Sequence, residues 1–270
     1  LAVMNIAEAG DHVIASSAIY GGTFNLLGVT LKKFGVDITF VDGDAPLEEL
    51  QKEIRPNTKA VFGETIANPA LHVLDIEKFA ALAHNNGIPL IVDNTFATPI
   101  LCRPFDFGAD IIVHSTTKYM DGHAVQMGGV IVDSGKFDWG ASGKFPGLTE
   151  PDESYHGLRY TESFGAAAYI TKARVQLMRD MGTCQTPMGA FLLDLGLQTL
   201  PLRIRQHSSN ALKVAQFLEQ QPDVEFINYP NLPSDKYHAL AQKYLPKGGC
   251  GVVSFELKGG REAAEKFMKN

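Results

Sequence analysis

The 270 residues include only three cysteines, Cys102, Cys184 and Cys250. An odd count without metal-like spacing argues against a disulfide scaffold or a thiolate metal centre. Free thiols in a reducing cytoplasm are the expectation. No apolar run reaches the roughly 18 residues that a membrane-spanning helix needs, and the first residues do not read as a signal peptide. The net charge is −6, which does not suggest nucleic acid as a partner. Three motifs are missing as well. The only candidate for a dinucleotide-binding turn, Gly21-Gly22-Thr23, lacks the Gly-x-Gly-x-x-Gly spacing. There is no Walker-type phosphate loop, and no Gly-x-Ser-x-Gly nucleophile turn. What remains is an ordinary globular composition, 45% hydrophobic and 20% charged, long enough for one large domain or a domain and a half.

Two runs stand out. Ile111-Ile112-Val113 is followed by His114-Ser115-Thr116-Thr117-Lys118, and Leu90-Ile91-Val92 by Asp93-Asn94-Thr95. Short, wholly apolar runs are what central parallel strands look like, because helices cover both of their faces. Polar residues at the C-terminal ends of such strands are where open α/β sheets hold ligands. Similar strands are expected over residues 12–15, 36–41 and 59–62, with helices over 24–34, 47–54 and 76–85 between them. In the first helix Phe24, Leu27, Leu31 and Phe34 follow helical spacing, and in the third Phe79, Leu82 and Ala83 should face inward. Residues 128–132 should add an antiparallel strand. The alternation predicts a doubly wound, mostly parallel sheet flanked by helices. Residues 134–151 read as a long surface loop. Residues 161–180 and 187–221 read as helices, the second interrupted or kinked at Pro201. A strand, a helix and a strand then follow over 224–229, 236–244 and 251–258. A second, smaller α/β domain is therefore expected to occupy 201–270, after a large domain over 1–200. Residues 1–7 read as a helix already under way and 261–270 as one still running, so the expectation is a piece of a longer protein.

Lys118 and Asp93, each at the end of a buried strand, carry the chemistry. A lysine amine becomes a nucleophile when desolvation frees it of its proton. A carboxylate facing a pyridinium N–H keeps that ring protonated and electron-withdrawing. Together they suggest pyridoxal 5′-phosphate (PLP), bound by lysine with an aspartate at the ring nitrogen. Ser115 and Thr117 could donate to its phosphate. Tyr20, just before Gly21-Gly22, could stack on a flat ring. Each residue has a plain structural alternative: a surface lysine, a capping aspartate, a loop-closing tyrosine. Glu64 and Asp75 could be an acid–base pair but are not distinguishable from solvated loop charges, and His114 and His123 lack a third ligand for a metal.

Taken in order, Gly10-Asp11-His12-Val13, Ser17-Ala18-Ile19-Tyr20-Gly21-Gly22-Thr23, Glu64-Thr65-Ile66-Ala67-Asn68-Pro69, Val92-Asp93-Asn94-Thr95 and His114-Ser115-Thr116-Thr117-Lys118-Tyr119 resemble the Cys/Met-metabolism PLP enzymes, the trans-sulfuration group of fold type I. The resemblance covers essentially the whole chain. It implies Lys118 as the Schiff-base lysine, Asp93 as the partner of the pyridine nitrogen, and Tyr20 as the stacked ring and acid–base aid. It implies Ser115 and Thr117 at the phosphate, Asn68 and Thr95 near the ring hydroxyl, and a homotetramer built as a dimer of dimers with sites at the dimer interface.

Within the group, residues 132–139, 155–158 and 243–248 resemble the O-acetylhomoserine sulfhydrylase branch. That implies γ-replacement on O-acetyl-L-homoserine by sulfide or a thiol, giving homocysteine or methionine. A cystathionine γ-synthase, a γ-lyase and an inactive fragment are the alternatives. Gly22 stands where methionine γ-lyases typically have cysteine. Asp121 and Ala124 depart from the family, which more often has a small residue and a glycine there. The family also has an N-terminal arm, a Ser-Gly-Met phosphate turn and a C-terminal carboxylate-binding arginine. The expectation is that these lie outside the 270 residues.

Overall fold

The computed structural model describes residues 1–269. Asn270, the last residue of the expected final helix, lies outside the described residues. Six strands form one sheet: β1 (His12–Ser16), β2 (Asp37–Val41), β3 (Thr58–Glu64), β4 (Leu90–Asp93), β5 (Ile111–Ser115) and β6 (Gly129–Asp133), in the order β2-β1-β3-β4-β5-β6. Neighbours from β2 to β5 run parallel, and β6 is antiparallel to β5. Val13, Ile14, Val61, Leu90, Ile91, Val92 and Ile111 are completely buried, so their continuous apolar runs match a sheet covered on both faces. After β1 the chain turns back to place β2 on one side and β3 on the other. This reversal opens a crevice at the C-terminal ends of β1 and β3, the usual ligand position in such sheets.

Helices α1 (Gly21–Asn25), α2 (Leu47–Gln51) and α3 (Ile76–His84) connect these strands. In α3, Phe79, Leu82 and Ala83 are buried as their spacing predicts, and the Asp75 side chain caps the first turn by accepting from the Lys78 amide. The expected face of the first helix is only half realised. Leu27 and Leu31 are buried, but Phe24 and Phe34 are 42% and 57% exposed. The helix widens into a π-turn over Leu26–Leu31, which breaks the 3.6-residue spacing, and Phe24 stacks on Phe40 of β2 instead. Residues 1–7 form hydrogen-bonded turns and not the expected regular helix.

The expected surface loop at 134–151 is packed. Trp139, Phe145 and Leu148 are buried, and Trp139 stacks on Tyr169 with 5.2 Å between ring centroids. Apolar burial by three large side chains outweighs the glycine- and serine-rich composition between them. The expected helix over 161–180 is broken at Gly165, whose φ of +51° no regular helix contains. The opposite holds for 187–221, where one helix, Pro187–Glu219, runs straight through Pro201. Leu197, whose carbonyl loses its partner there, is 39% exposed, so water can take the bond. The boundary expected near residue 200 therefore falls inside a continuous helix, which carries the chain to a separate two-stranded sheet of β7 (Val224–Asn228) and β8 (Ser254–Leu257). Hydroxyls of Tyr237 and Tyr244 donate to Asp44 and Asp75 at 2.8 and 2.6 Å, fastening this later segment to the loop before α2 and to the start of α3. Among the described residues no helix is long and apolar enough to cross a membrane.

Candidate active site

Parallel pairing brings three polar strand ends side by side. Glu64 on β3 is in register with Asp93 on β4, and Asp93 with Val113 on β5, two residues before Ser115. Partners in register on parallel strands point to the same face, so Glu64, Asp93 and Ser115 share one face at the C-terminal edge. Lys118 follows in the turn after β5, where its amide donates to the Ser115 carbonyl and its own carbonyl accepts from Gly122. Its side chain is exposed.

Asp93 is held by its neighbours. Its Oδ1 accepts from the Thr95 amide at 2.9 Å and the Thr95 hydroxyl at 2.5 Å, and the same hydroxyl accepts from the Ser115 amide at 2.8 Å. Thr95 thus bridges β4 and β5 and orients the carboxylate. Its one hydroxyl proton goes to Asp93. Burial pushes the Asp93 carboxyl above the usual carboxylate range, against the two hydrogen bonds from Thr95 that lower it. Among the described residues no lysine, arginine or histidine pairs with it. Asp93 lines a cavity of about 380 Å³ together with Val113, His114, Thr23, Leu27 and Gly129.

Glu64 is 5% exposed, and its Oε2 accepts the Tyr20 amide at 2.6 Å. Burial, with Asp93 adding to it, pushes its carboxyl up to about 8. Tyr20 itself is 48% exposed at the start of α1. A Cβ added at Gly22 would lie 2.5 Å from Tyr20 Cε1, so the ring folds back over Gly22 and a larger residue there would make it shift.

Of the other expected residues, Ser115 places its hydroxyl at this edge without a partner among the described residues. Thr117 donates to the Gly128 carbonyl and accepts from the Gly128 amide, at 3.2 and 3.0 Å, which leaves it no free donor. Asn68 is partly exposed and precedes a cis peptide to Pro69. Burial pushes the His114 imidazole down to about 4, so it is neutral at pH 7. His123 turns its Nδ1 to the Asp121 carbonyl. Among the described residues no group of three or more His, Cys, Asp or Glu could hold a metal ion.

Sequence reasoning left several participants unassigned. Thr65 donates to Asn94 Oδ1 at 2.8 Å, and Asn94 to the Cys102 carbonyl at 3.0 Å, tying the ends of β3 and β4 from below. Arg203 of the long helix donates to the Tyr119 carbonyl at 2.8 Å and holds the turn that follows Lys118. Glu64 had a visible signal, an acid closing an apolar strand just as Asp93 does.

These groups fit PLP by their chemistry. A desolvated carboxylate without a cation of its own opens onto a cavity, one strand from an exposed amine and an unpartnered hydroxyl. The comparisons agree. The family model described as Cys/Met metabolism PLP-dependent enzyme matches residues 1–270. An O-acetyl-L-homoserine sulfhydrylase of Leptospira meyeri is 48% identical over 277 residues, covering 99% of this chain and 62% of its own length. A homocysteine synthase of Schizosaccharomyces pombe is 48% identical, covering 99% and 63%. A Campylobacter jejuni structure containing N′-pyridoxyl-lysine-5′-monophosphate superposes with a TM-score of 0.91 at 41% identity, covering 95% of this chain and 64% of that one. The O-acetylhomoserine sulfhydrylase of Wolinella succinogenes gives a TM-score of 0.87 at 34% identity. The chain spans about three fifths of the length of these curated relatives. It belongs to the Cys/Met metabolism family of PLP-dependent enzymes.

Proposed function

We propose that this chain provides the PLP site of an enzyme that replaces the γ-substituent of O-acetyl-L-homoserine with sulfide or a thiol, giving homocysteine or methionine. The observation that carries the reading is Asp93: a carboxylate desolvated without a cationic partner, braced by Thr95 and facing a cavity one strand from Lys118. A buried charge of this kind calls for a positive partner, and a protonated ring nitrogen supplies one. PLP, when bound, supplies a carbonyl for the substrate amine and a ring that draws electrons from the adjacent carbon. Lys118 would hold the cofactor between turnovers, and its Nζ would take and return the protons on Cα and Cβ of the amino acid. Tyr20, on the opposite side of the crevice, would cover the ring and hand a proton to the departing acetate. Ser115 would hold a phosphate oxygen, with Thr117 joining it only if its bond to Gly128 opens. Asn68 would sit at the ring edge.

The names of the relatives favour the sulfhydrylase branch over the lyases and cystathionine synthases. We further propose that the assembled enzyme is a homotetramer, a dimer of dimers, in the cytoplasm. Exposed Leu26 and Val29 beside the site, and three free cysteines, support this. The test is chemical. Incubating the chain with PLP, reducing with borohydride and mapping the peptides should place a pyridoxyl group on Lys118, and Lys118→Ala should lose it. Labelling spread over other lysines, unchanged in the variant, would refute the role.

A further inference from the structure

Glu64 takes no part in the chemistry above, yet it is the acid closest to Asp93 along the sheet. We infer that Glu64 is a positioning residue: its carboxyl fastens the Tyr20 backbone and so holds the Tyr20 ring and the Gly21-Gly22 turn in place beside Asp93. The inference rests on the reading of this edge as a PLP site and adds a role for a residue which that reading leaves out.

The geometry supports it in three ways. First, the 2.6 Å bond from the Tyr20 amide to Glu64 Oε2 joins residues 44 apart in the chain, across the crevice where the strand order reverses. Second, no side chain caps the start of α1, so this bond is what fixes the N-terminal end of that turn. Third, the ring folds back over Gly22, so its position follows the backbone that Glu64 holds. Strand β3 is buried along nearly its whole length, which makes it a rigid anchor for a turn that is otherwise exposed.

Electrostatics sets the form in which Glu64 acts. The charged or titratable groups around it are Asp93 on β4, and Asp44 and His72, which line the small space on its other side. None of them forms an ion pair with it. Desolvated and next to another acid, its carboxyl is protonated at pH 7 and leaves Asp93 to meet the cofactor's charge alone. A neutral amide could then do the same work, because its carbonyl oxygen accepts the Tyr20 N–H equally well.

This yields a test in which the conservative change rescues and truncation does not. In the purified chain without cofactor, hydrogen exchange of the peptide spanning residues 17–24 should be about tenfold faster in Glu64→Ala and within about twofold of wild type in Glu64→Gln. PLP affinity, read by spectroscopic titration, should fall about tenfold in Glu64→Ala and stay near wild type in Glu64→Gln. In a Tyr20→Ala background the affinity cost of Glu64→Ala should shrink to within about twofold, since the ring it positions is gone. Unchanged exchange in Glu64→Ala would overturn the inference, as would an affinity loss equal in both backgrounds. Glu64→Gln as weak as Glu64→Ala would also overturn it. A wild-type chain that takes no PLP would instead refute the cofactor reading and the positioning role that depends on it. The exchange comparison would still report separately whether Glu64 holds the turn.

Discussion

Ala124 has a φ of +56°, a left-handed conformation that costs an L-residue about 1–2 kcal/mol. It lies in the turn after Lys118, at a position where the family resemblance leads to the expectation of glycine. The neighbouring departure explains how the turn persists. Asp121 is fully buried, and its Oδ2 accepts from the amides of His123 and Val125 at 3.1 and 3.2 Å, holding the backbone on either side of Ala124. Ala124→Gly should therefore raise stability by about 0.5–1 kcal/mol, the relieved strain less the extra freedom of glycine in the unfolded chain. Urea unfolding at fixed pH would read it, and a lower midpoint would contradict it. The same scale shows what residue type alone can reveal. Lys118 and Asp93 stood out as candidates because each follows a short apolar run that reads as a buried strand. The bonds of Thr95 and Thr117 were not legible, because a hydroxyl has one proton to give and the sequence does not say which neighbour receives it.

At the scale of elements, α3 shows a helix whose anchoring depends on pH. His84, in its last turn, donates from Nε2 to Asp110 Oδ2 at 2.8 Å, and the same oxygen accepts the Leu90 amide at 2.8 Å. The hydrogen bond that His84 donates to Asp110 holds its imidazole above the usual range. A raised histidine pKa stabilises the fold fully below the unfolded value, near 6.5, and that stabilisation is lost as pH rises through the folded one. Stability should thus decline from about pH 6.5 upward, and His84→Gln should flatten the slope in denaturant unfolding across that range. An identical slope in the variant would count against the pair. Elements were legible where one physical signal dominated, as in the buried strands and α3. They were misread where two signals competed: a π-turn against helical spacing at Leu26–Leu31, and a long helix against the proline at 201.

At the scale of the whole molecule, some exposed apolar residues lie close to the proposed site. Leu26 and Val29 are 47% and 51% exposed on the π-turn that follows Tyr20, next to the proposed site. Exposed apolar side chains beside a site are candidates for association with another chain. Val29→Asp should shift the protein toward smaller species in analytical ultracentrifugation while leaving the fold intact. A distribution identical to wild type would remove this face from the interface.

The sequence by itself determined the parallel strands and the helices between them, and it singled out one lysine and one aspartate as candidates for a chemical centre. Those features are local, written in runs of apolar residues and in what terminates them. Tertiary structure alone decided that Glu64, Asp93 and Ser115 lie along one edge, that the Thr95 hydroxyl braces Asp93, and that Glu64 reaches Tyr20. The reason is topological. The sheet places β1, β3, β4 and β5 side by side although tens of residues separate them, and a hydrogen bond or a shifted pKa depends on neighbours in space.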